Sequence, residues 1–585
     1  MDEPGRPAPI LLGAPPMTIP SSRHPLAHAS GAQPLGLDPQ LFELSAEGLS
    51  ESARNAALSA FAEVMASKRN HCLGYQVNQF GMYGDLAQYL TMHLNNVGDP
   101  FIDGNYTLNS KVMERAVLDF YADLWHATRP HDSENPESYW GYVLSMGCTE
   151  GNLYGLWNAR DYLAGKGLLD DPETQPQAAE SNVQAANPVA MIMRRLLWQQ
   201  APTPAGNANA YTPVAFYSED THYSVIKIMR ILGIHTFYEL GKNHYPGQCP
   251  LRGTQGHWPQ EVPSEGGALG PGSIDGEALT ELVSFFADRG YPILINLNYG
   301  TTFKGAYDDV GAICAALKPV FQRNGLEARE VVYDPATGAK DTRRGFWIHV
   351  DGALGATSTP FLERAHAQGR ISQRGPDFDF RLPYVTSIAA SGHKWIGAPF
   401  PTGLYMTRVK HQLRPPSDPA YIGSPDTTLA GSRSGLAPIV LWTFLASHSH
   451  EAQIERALRC EHLAGYAHAR LLRLSQTLSL DLWVHRTPLA LAVLFRQPSR
   501  SIVAKYSLSC ETVLVDGTPR AYAHIYLMEH VNQAKIDALI DDLSQPGAFP
   551  APAPPTEPTE PAAPPLAPHA ARPLTHVPLT GRGWR

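Results

Sequence analysis

The sequence predicts an α/β fold, with a mostly parallel sheet between helices and a smaller α+β segment toward the C-terminus. Three observations predict it. Four short apolar runs bounded by turn residues, 213–217 (PVAFY), 292–297 (PILINL), 346–350 (FWIHV) and 385–390 (VTSIAA), read as strands buried on both faces. Segments of helical apolar spacing, such as 222–232 and 276–289, fall between them, and that alternation builds parallel sheets. From residue 450 the order changes. A helix near 452–477 leads to strand-like pieces at 490–495, 503–508 and 521–528, with a closing helix over about 531–544.

Upstream, residues 48–67 and 109–127 carry helical spacing, with Ser50 or Ser52 placed to cap the first. Residues 1–35, rich in Pro, Ala, Ser and Gly, read as a disordered leader. Residues 546–585, which include PAPAPPTEPTEPAAPPLAP, read as a solvated tail that cannot build a core. The expected division is an N-terminal segment 36–110, a large α/β domain 111–445 and a small α+β domain 446–545. Three stretches rich in Pro, Gly, Gln and Asp interrupt the rhythm at about 167–210, 243–273 and 323–345. They read as surface loops; lids or interface arms are the alternative.

Composition narrows the function. The formal net charge is -9 and no basic block stands out, which argues against a nucleic-acid partner. The six cysteines are scattered with no CxxC pair, so no structural zinc or other metal site is expected, and they read as thiols of a reducing compartment. No run approaches the ~20 apolar residues that span a bilayer, so no membrane role is expected. The N-terminus reads as neither secretory signal nor transit peptide, and the cytoplasm is the expected location.

Six segments carry chemistry. Lys394, in Ser391-Gly392-His393-Lys394-Trp395, follows a strand and a small-residue turn, where open α/β sheets bind ligands. Desolvated there, a lysine amine becomes a nucleophile for an aldehyde. Asp351, in His349-Val350-Asp351-Gly352-Ala353, ends a buried strand and needs a partner; Gly352 and Ala353 leave room for a flat ring. Ser145-Met146-Gly147-Cys148-Thr149-Glu150-Gly151-Asn152 opens the helical stretch 153–163, and its free N–H groups and dipole suit a phosphate. A plain helix cap is the alternative. The pattern is not G-x-G-x-x-G, which disfavours a dinucleotide. His222, in Ser218-Glu219-Asp220-Thr221-His222-Tyr223-Ser224, is placed to stack over a ring. Thr301 follows a strand in Asn298-Tyr299-Gly300-Thr301-Thr302. Residues 421–435 are polar, Gly-rich and expected to be irregular, as a loop over an active site is.

In order, TEGN, EDTHYS, GTT-x-KGA-x-DD, HVD-x-A, SGHKW and AGSR-x-G resemble the group II decarboxylases that depend on pyridoxal 5'-phosphate (PLP), and most closely their bacterial histidine decarboxylase branch. SGHKWIGAP and GSPDTTLAGSR are also similar to bacterial valine decarboxylase-like members. The resemblance covers roughly residues 70–530. It implies the type I PLP-dependent transferase fold, a seven-stranded sheet, and a homodimer with the N-terminal helices and the active site at the interface.

Residue by residue, the resemblance makes Lys394 the Schiff-base lysine and Asp351 the partner of the pyridine nitrogen. Ala353 and His222 then cover the two ring faces. Cys148 and Thr149 hold the phosphate, with Ser391 and His393 adding contacts. Thr301 lies near the phenolic oxygen, and Ser432 reaches the phosphate from a partner subunit. Tyr421, or His222, protonates Cα, and Tyr75 and Asn78 line the substrate pocket. Met146-Gly147-Cys148 departs from the Gly-Gly of the short histidine decarboxylases, so histidine does not follow as substrate. The reaction implied is amino-acid decarboxylation, leaning to a neutral, branched aliphatic substrate. Histidine or an aromatic amino acid is the alternative. A PLP-dependent aminotransferase or aldolase, or an inactive binding protein on the same fold, is the competing class.

Overall fold

The computed structural model describes residues 36–81, 83–170, 196–413 and 420–549. The leader read over 1–35, nearly all of the tail read over 546–585 and the middle of the 167–210 stretch lie outside the described residues. The chain divides into two compact units between Asn70 and His71. The first is built on the helix Glu51–His71, whose final residue opens the second unit. Ser50 caps it, its Oγ accepting the Ala53 N–H at 3.2 Å. Phe42 and Phe61 meet edge to face with ring centroids 6.4 Å apart.

The second unit is organised by a seven-stranded sheet. Its strands are β1 Tyr139–Leu144, β2 Val214–Phe216, β3 His235–Thr236, β4 Ile293–Asn298, β5 Phe346–Asp351, β6 Val385–Ser391 and β7 Gly403–Arg408. They lie in the order β1-β7-β6-β5-β4-β2-β3. Strand β7 is antiparallel to both its neighbours, and every other pairing is parallel. Alternate side chains supply two cores. Leu294 and Trp347 pack with Leu156, Ala159 and Leu163 of the helix Cys148–Leu163 and with Val225 and Met229 of the helix Tyr223–Leu232. On the other face, Ile293, Ile295, Phe346 and Ile348 pack with Leu282 and Phe286 of the helix Gly276–Ala287 and with Leu317 and Phe321 of Val310–Arg323. Asp275 and Asp309 cap these last two helices.

Toward the C-terminus, β8 Ala492–Arg496, β9 Ser509–Val515 and β10 Thr518–Tyr526 form an antiparallel sheet in the order β8-β10-β9. It packs through Val493, Phe495 and Ile525 on Leu471 of the helix His450–Thr477 and on Ile536 and Leu539 of Gln533–Leu543. Among the described residues, no helix is long and apolar enough to cross a membrane, and no cluster of His, Cys, Asp and Glu is placed to hold a metal ion.

Four sequence readings are corrected. Residues 503–508 are not a strand but belong largely to the helix Arg500–Tyr506, which buries Ile502 and Tyr506, four residues apart on one helical face. The 323–345 stretch is not a loop. It holds the antiparallel hairpin Arg329–Asp334 with Ala339–Arg343, turned at Gly338 with φ +72°. The edges of the 167–210 stretch pair as a ribbon, Lys166–Asp170 with Leu196–Gln200. The phosphate-type segment is itself helical from Cys148, so Cys148 and Thr149 are its first turn rather than a preceding loop.

Candidate active site

The C-terminal ends of β1, β4, β5 and β6 converge with the loop after β2 on one pocket. Its walls include Cys148, Thr149, His222, Thr301, Asp351 and Lys394. Asn152, Ala353, Ser391 and His393 line it as well. Nine positions singled out in the sequence therefore meet in one place, at the sheet edge where doubly wound folds bind ligands.

Lys394 is half-buried in the pocket wall. Burial lowers the ammonium's pKa, partly opposed by the charge of Asp351. Its Nζ donates to Gln76 Oε1 at 2.5 Å. Asp351 accepts from Asn152 Nδ2 at 2.7 Å, from the Cys148 thiol at 3.2 Å and from its own turn through Ala353 N at 3.2 Å. Desolvation and the neighbouring Asp351 hold the Cys148 thiol protonated.

His222 caps the helix Tyr223–Leu232, its Nδ1 accepting from the Ser224 N–H at 3.4 Å and lying 2.7 Å from Ser224 Oγ. Burial holds the ring neutral, so the proton resides on Nε2. Burial lowers the pKa of His393 too, and its Nδ1 sits 3.1 Å from Thr402 O. Gly147 leads into the helix with φ +78°, and a Cβ there would lie 2.7 Å from His393 Cε1. This glycine leaves the cradle between helix terminus and histidine open. Ser391 Oγ accepts from Cys148 N at 3.4 Å. Thr301 Oγ1 accepts from Ala306 N at 2.9 Å, leaving its own proton for the pocket.

The remaining sequence candidates lie elsewhere. Tyr75 is 55 % exposed and does not line the pocket. Asn78 is buried behind the lysine: its N–H donates to Lys394 O at 3.1 Å and its Nδ2 to Glu529 Oε2 at 3.3 Å. It braces the Lys394 backbone rather than facing a substrate. The residue of that segment that reaches the lysine is Gln76. Tyr421 is 82 % exposed, and Ser432 Oγ is held by Asn95 Nδ2 at 3.0 Å, away from the pocket of its own chain. Sequence reasoning missed Gln76 and Asn152. The available signal for Asn152 was its position at the end of TEGN, one helical turn after Cys148 and on the same helix face.

An amine at one end, a paired carboxylate at the other, an open helix terminus and neutral imidazoles fit a phosphorylated pyridoxal ring. The chain belongs to the pyridoxal-dependent decarboxylases. Residues 261–462 match the pyridoxal-dependent decarboxylase conserved domain. L-methionine decarboxylase from Streptomyces sp.590, solved with L-methionine methyl ester, is 48% identical and superposes with a TM-score of 0.78, over 87% of this chain and 97% of that one. Serine decarboxylase 1 of Oryza sativa subsp. japonica is 28% identical over 85% of this chain and 77% of the relative. The histidine decarboxylase of Pseudomonas entomophila (strain L48) is 29% identical over 84% and 91%. The protein is a PLP-dependent amino-acid decarboxylase.

Proposed function

We propose that the substrate is a neutral, aliphatic L-amino acid of the methionine type. The observation that carries this is the pocket's charge inventory. Apart from Lys394 and Asp351, the side chains lining it are neutral, including the two histidines, whose pKa values burial lowers. No described lining residue offers a free carboxylate to an imidazole-type side chain or a guanidinium to an acidic one. The likeness to methionine decarboxylase supports the same class.

In this reading Lys394 binds the cofactor aldehyde, and Asp351 faces the ring nitrogen. His222 and Ala353 cover the ring faces. The Cys148 N–H, Thr149, Ser391 and His393 hold the phosphate, and Thr301 meets the phenolic oxygen. When bound, PLP supplies a carbonyl for amine exchange and an electron sink for the pair left by the departing carboxylate. Burial disfavours the charge of Lys394 and so favours its entry as a free amine. His222 carries a proton on Nε2 for return to Cα, and Tyr421 of the partner is the other donor. We propose a homodimer in which Tyr421 and Ser432 complete the partner's site. Tyr421 and Leu429 lie exposed on a loop that its own chain's pocket does not use.

The test is a panel of carboxyl-labelled amino acids. Methionine is expected to give the highest kcat/KM for carbon dioxide release, above valine and leucine. A preference for histidine or serine overturns the substrate reading, and transamination without carbon dioxide overturns the assignment of the bond broken. Lys394→Ala is expected to remove all activity. Tyr421→Phe is expected to be impaired, and mixing it with inactive Lys394→Ala is expected to raise activity in hybrid dimers above that of Tyr421→Phe alone; no gain, or a monomer in sedimentation, overturns the shared site.

A further inference from the structure

Behind Asp351 lies a row of fully buried polar side chains. Trp347 and His349 alternate with Asp351 on one face of β5, and Ser387 stands beside them on β6. Asn152 approaches from the helix Cys148–Leu163. Trp347 Nε1 lies 2.9 Å from Ser387 Oγ, and Ser387 Oγ lies 2.7 Å from His349 Nδ1. His349 Nε2 lies 3.0 Å from Asn152 Oδ1, and Asn152 Nδ2 lies 2.7 Å from Asp351 Oδ2.

The ends of this row determine its direction. An indole N–H only donates, and a carboxylate only accepts. Ser387 therefore accepts from Trp347, and its remaining direction is set from the Asp351 end. Asn152 must turn its amide N–H to Asp351, so its Oδ1 accepts from His349 Nε2–H. Working inward from Asp351, a neutral ring protonated on Nε2 leaves Nδ1 to accept the Ser387 proton, with one donor and one acceptor satisfied at every junction. Burial supports it, pushing His349 down to about 4 and so keeping the ring neutral. Gly155 supports it independently: a Cβ there would lie 2.7 Å from both His349 Cε1 and Nδ1, so the helix leaves room for the imidazole in this position.

We propose that Trp347, Ser387, His349 and Asn152 form a one-directional hydrogen-bond relay that aims the Asp351 carboxylate into the Lys394 pocket. Asn152 and His349 are thereby positioning residues for the reaction. The proposal rests on the reading of Asp351 as the partner of the cofactor's ring nitrogen. A carboxylate with fixed donors behind it keeps its charge and direction without solvent, and that is what a protonated ring nitrogen requires. Lys394, His222 and Cys148 are the other titratable groups around Asp351, and the relay variants leave all three in place.

The experiment uses the PLP-loaded enzyme and its Asn152→Leu, His349→Leu and His349→Gln variants, followed by absorbance against pH. A less firmly held ring charge repels the neighbouring imine proton less, so the long-wavelength band persists to higher pH. In both leucine variants the pH of half-loss is expected to move up by about half a unit or more, with cofactor affinity falling roughly ten-fold. His349→Gln, whose amide can accept from Ser387 and donate to Asn152, is expected to recover most of both. An unchanged midpoint in the leucine variants overturns the relay, as does a glutamine variant no better than leucine. Absence of the band from the parent protein overturns the underlying reading of the site instead. If the leucine variants do not fold, Ser387→Ala decides: a shift in the same direction supports the relay, and an unchanged midpoint overturns it.

Discussion

At the residue scale, Gln76 shows how orientation creates chemistry. Its amide nitrogen donates to Thr302 O at 2.8 Å and to Tyr526 Oη at 2.9 Å, which leaves Oε1 with a single direction, toward Lys394 Nζ. It accepts from the lysine without adding charge. Gln76→Glu is nearly isosteric and places a carboxylate there. The ammonium form of Lys394, disfavoured by burial, then gains a counter-ion, and its pKa rises. In the role proposed for Lys394, the neutral amine that meets the cofactor aldehyde then becomes available only at higher pH. The rate of PLP uptake by the apoenzyme is therefore expected to shift to higher pH by about one unit or more; an unchanged or acid-shifted profile contradicts this role. Lys394 and Asp351 were legible in the sequence because each sits in a motif with its own strand and turn. Gln76 was not, because its partner lies 318 positions away, and only the folded chain makes an acceptor at that point significant.

At the element scale, the loop 421–435 is fastened by a buried ion pair. Arg433 Nη1 meets Glu114 Oε1, and both side chains are almost wholly inaccessible. Glu114 also accepts from Asn96 Nδ2 at 2.7 Å and from Val143 N at 2.9 Å. Arg433 donates to Val143 O and Gly98 O, both at 2.9 Å. The pair thus joins the helix Lys111–Leu124, strand β1 and the loop that carries Ser432. Arg433→Leu strands the carboxylate and is expected to lower unfolding stability by about 3–5 kcal/mol in urea titrations, with Arg433→Leu/Glu114→Leu recovering part of the loss. A single variant as stable as the parent refutes the clamp. Elements were readable where local and tertiary demands agreed. Strands β4, β5 and β6 are mostly apolar and buried throughout because both faces are covered. The stretch 503–508 misled because Ile502, Val503 and Tyr506 favour strands by type, while burial of residues 502 and 506 alone selects a helix. The hairpin at 329–343 was hidden by its charged side chains, only some of which are buried.

At the scale of the whole molecule, His349 and His530 are two histidines that couple folding to acidity. His349 is held neutral by the relay. His530, between the small C-terminal sheet and its last helix, accepts the Gln79 N–H on Nδ1 at 3.2 Å and faces Cys72 O through Nε2 at 3.0 Å. In each ring one nitrogen must accept, so a second proton would set two donors against each other. Burial pushes both down to about 4. The unfolded chain takes up these protons near pH 6.5, and the native state does so only near pH 4. Stability therefore falls as pH drops through that window, by about 2 kcal/mol per histidine between pH 7 and pH 5. Asp308 acts oppositely over the same range, since burial pushes it up to about 7, so a parent curve alone does not isolate the histidines. Comparison with His349→Gln/His530→Gln does, because glutamine can keep one donor and one acceptor at each site and takes up no proton. Between pH 7 and pH 5 the parent is expected to lose about 4 kcal/mol more unfolding free energy than the double variant. Parallel curves for the two proteins refute the coupling, and they would mean that the native state accommodates a charged imidazole behind Asp351, which the one-directional relay forbids.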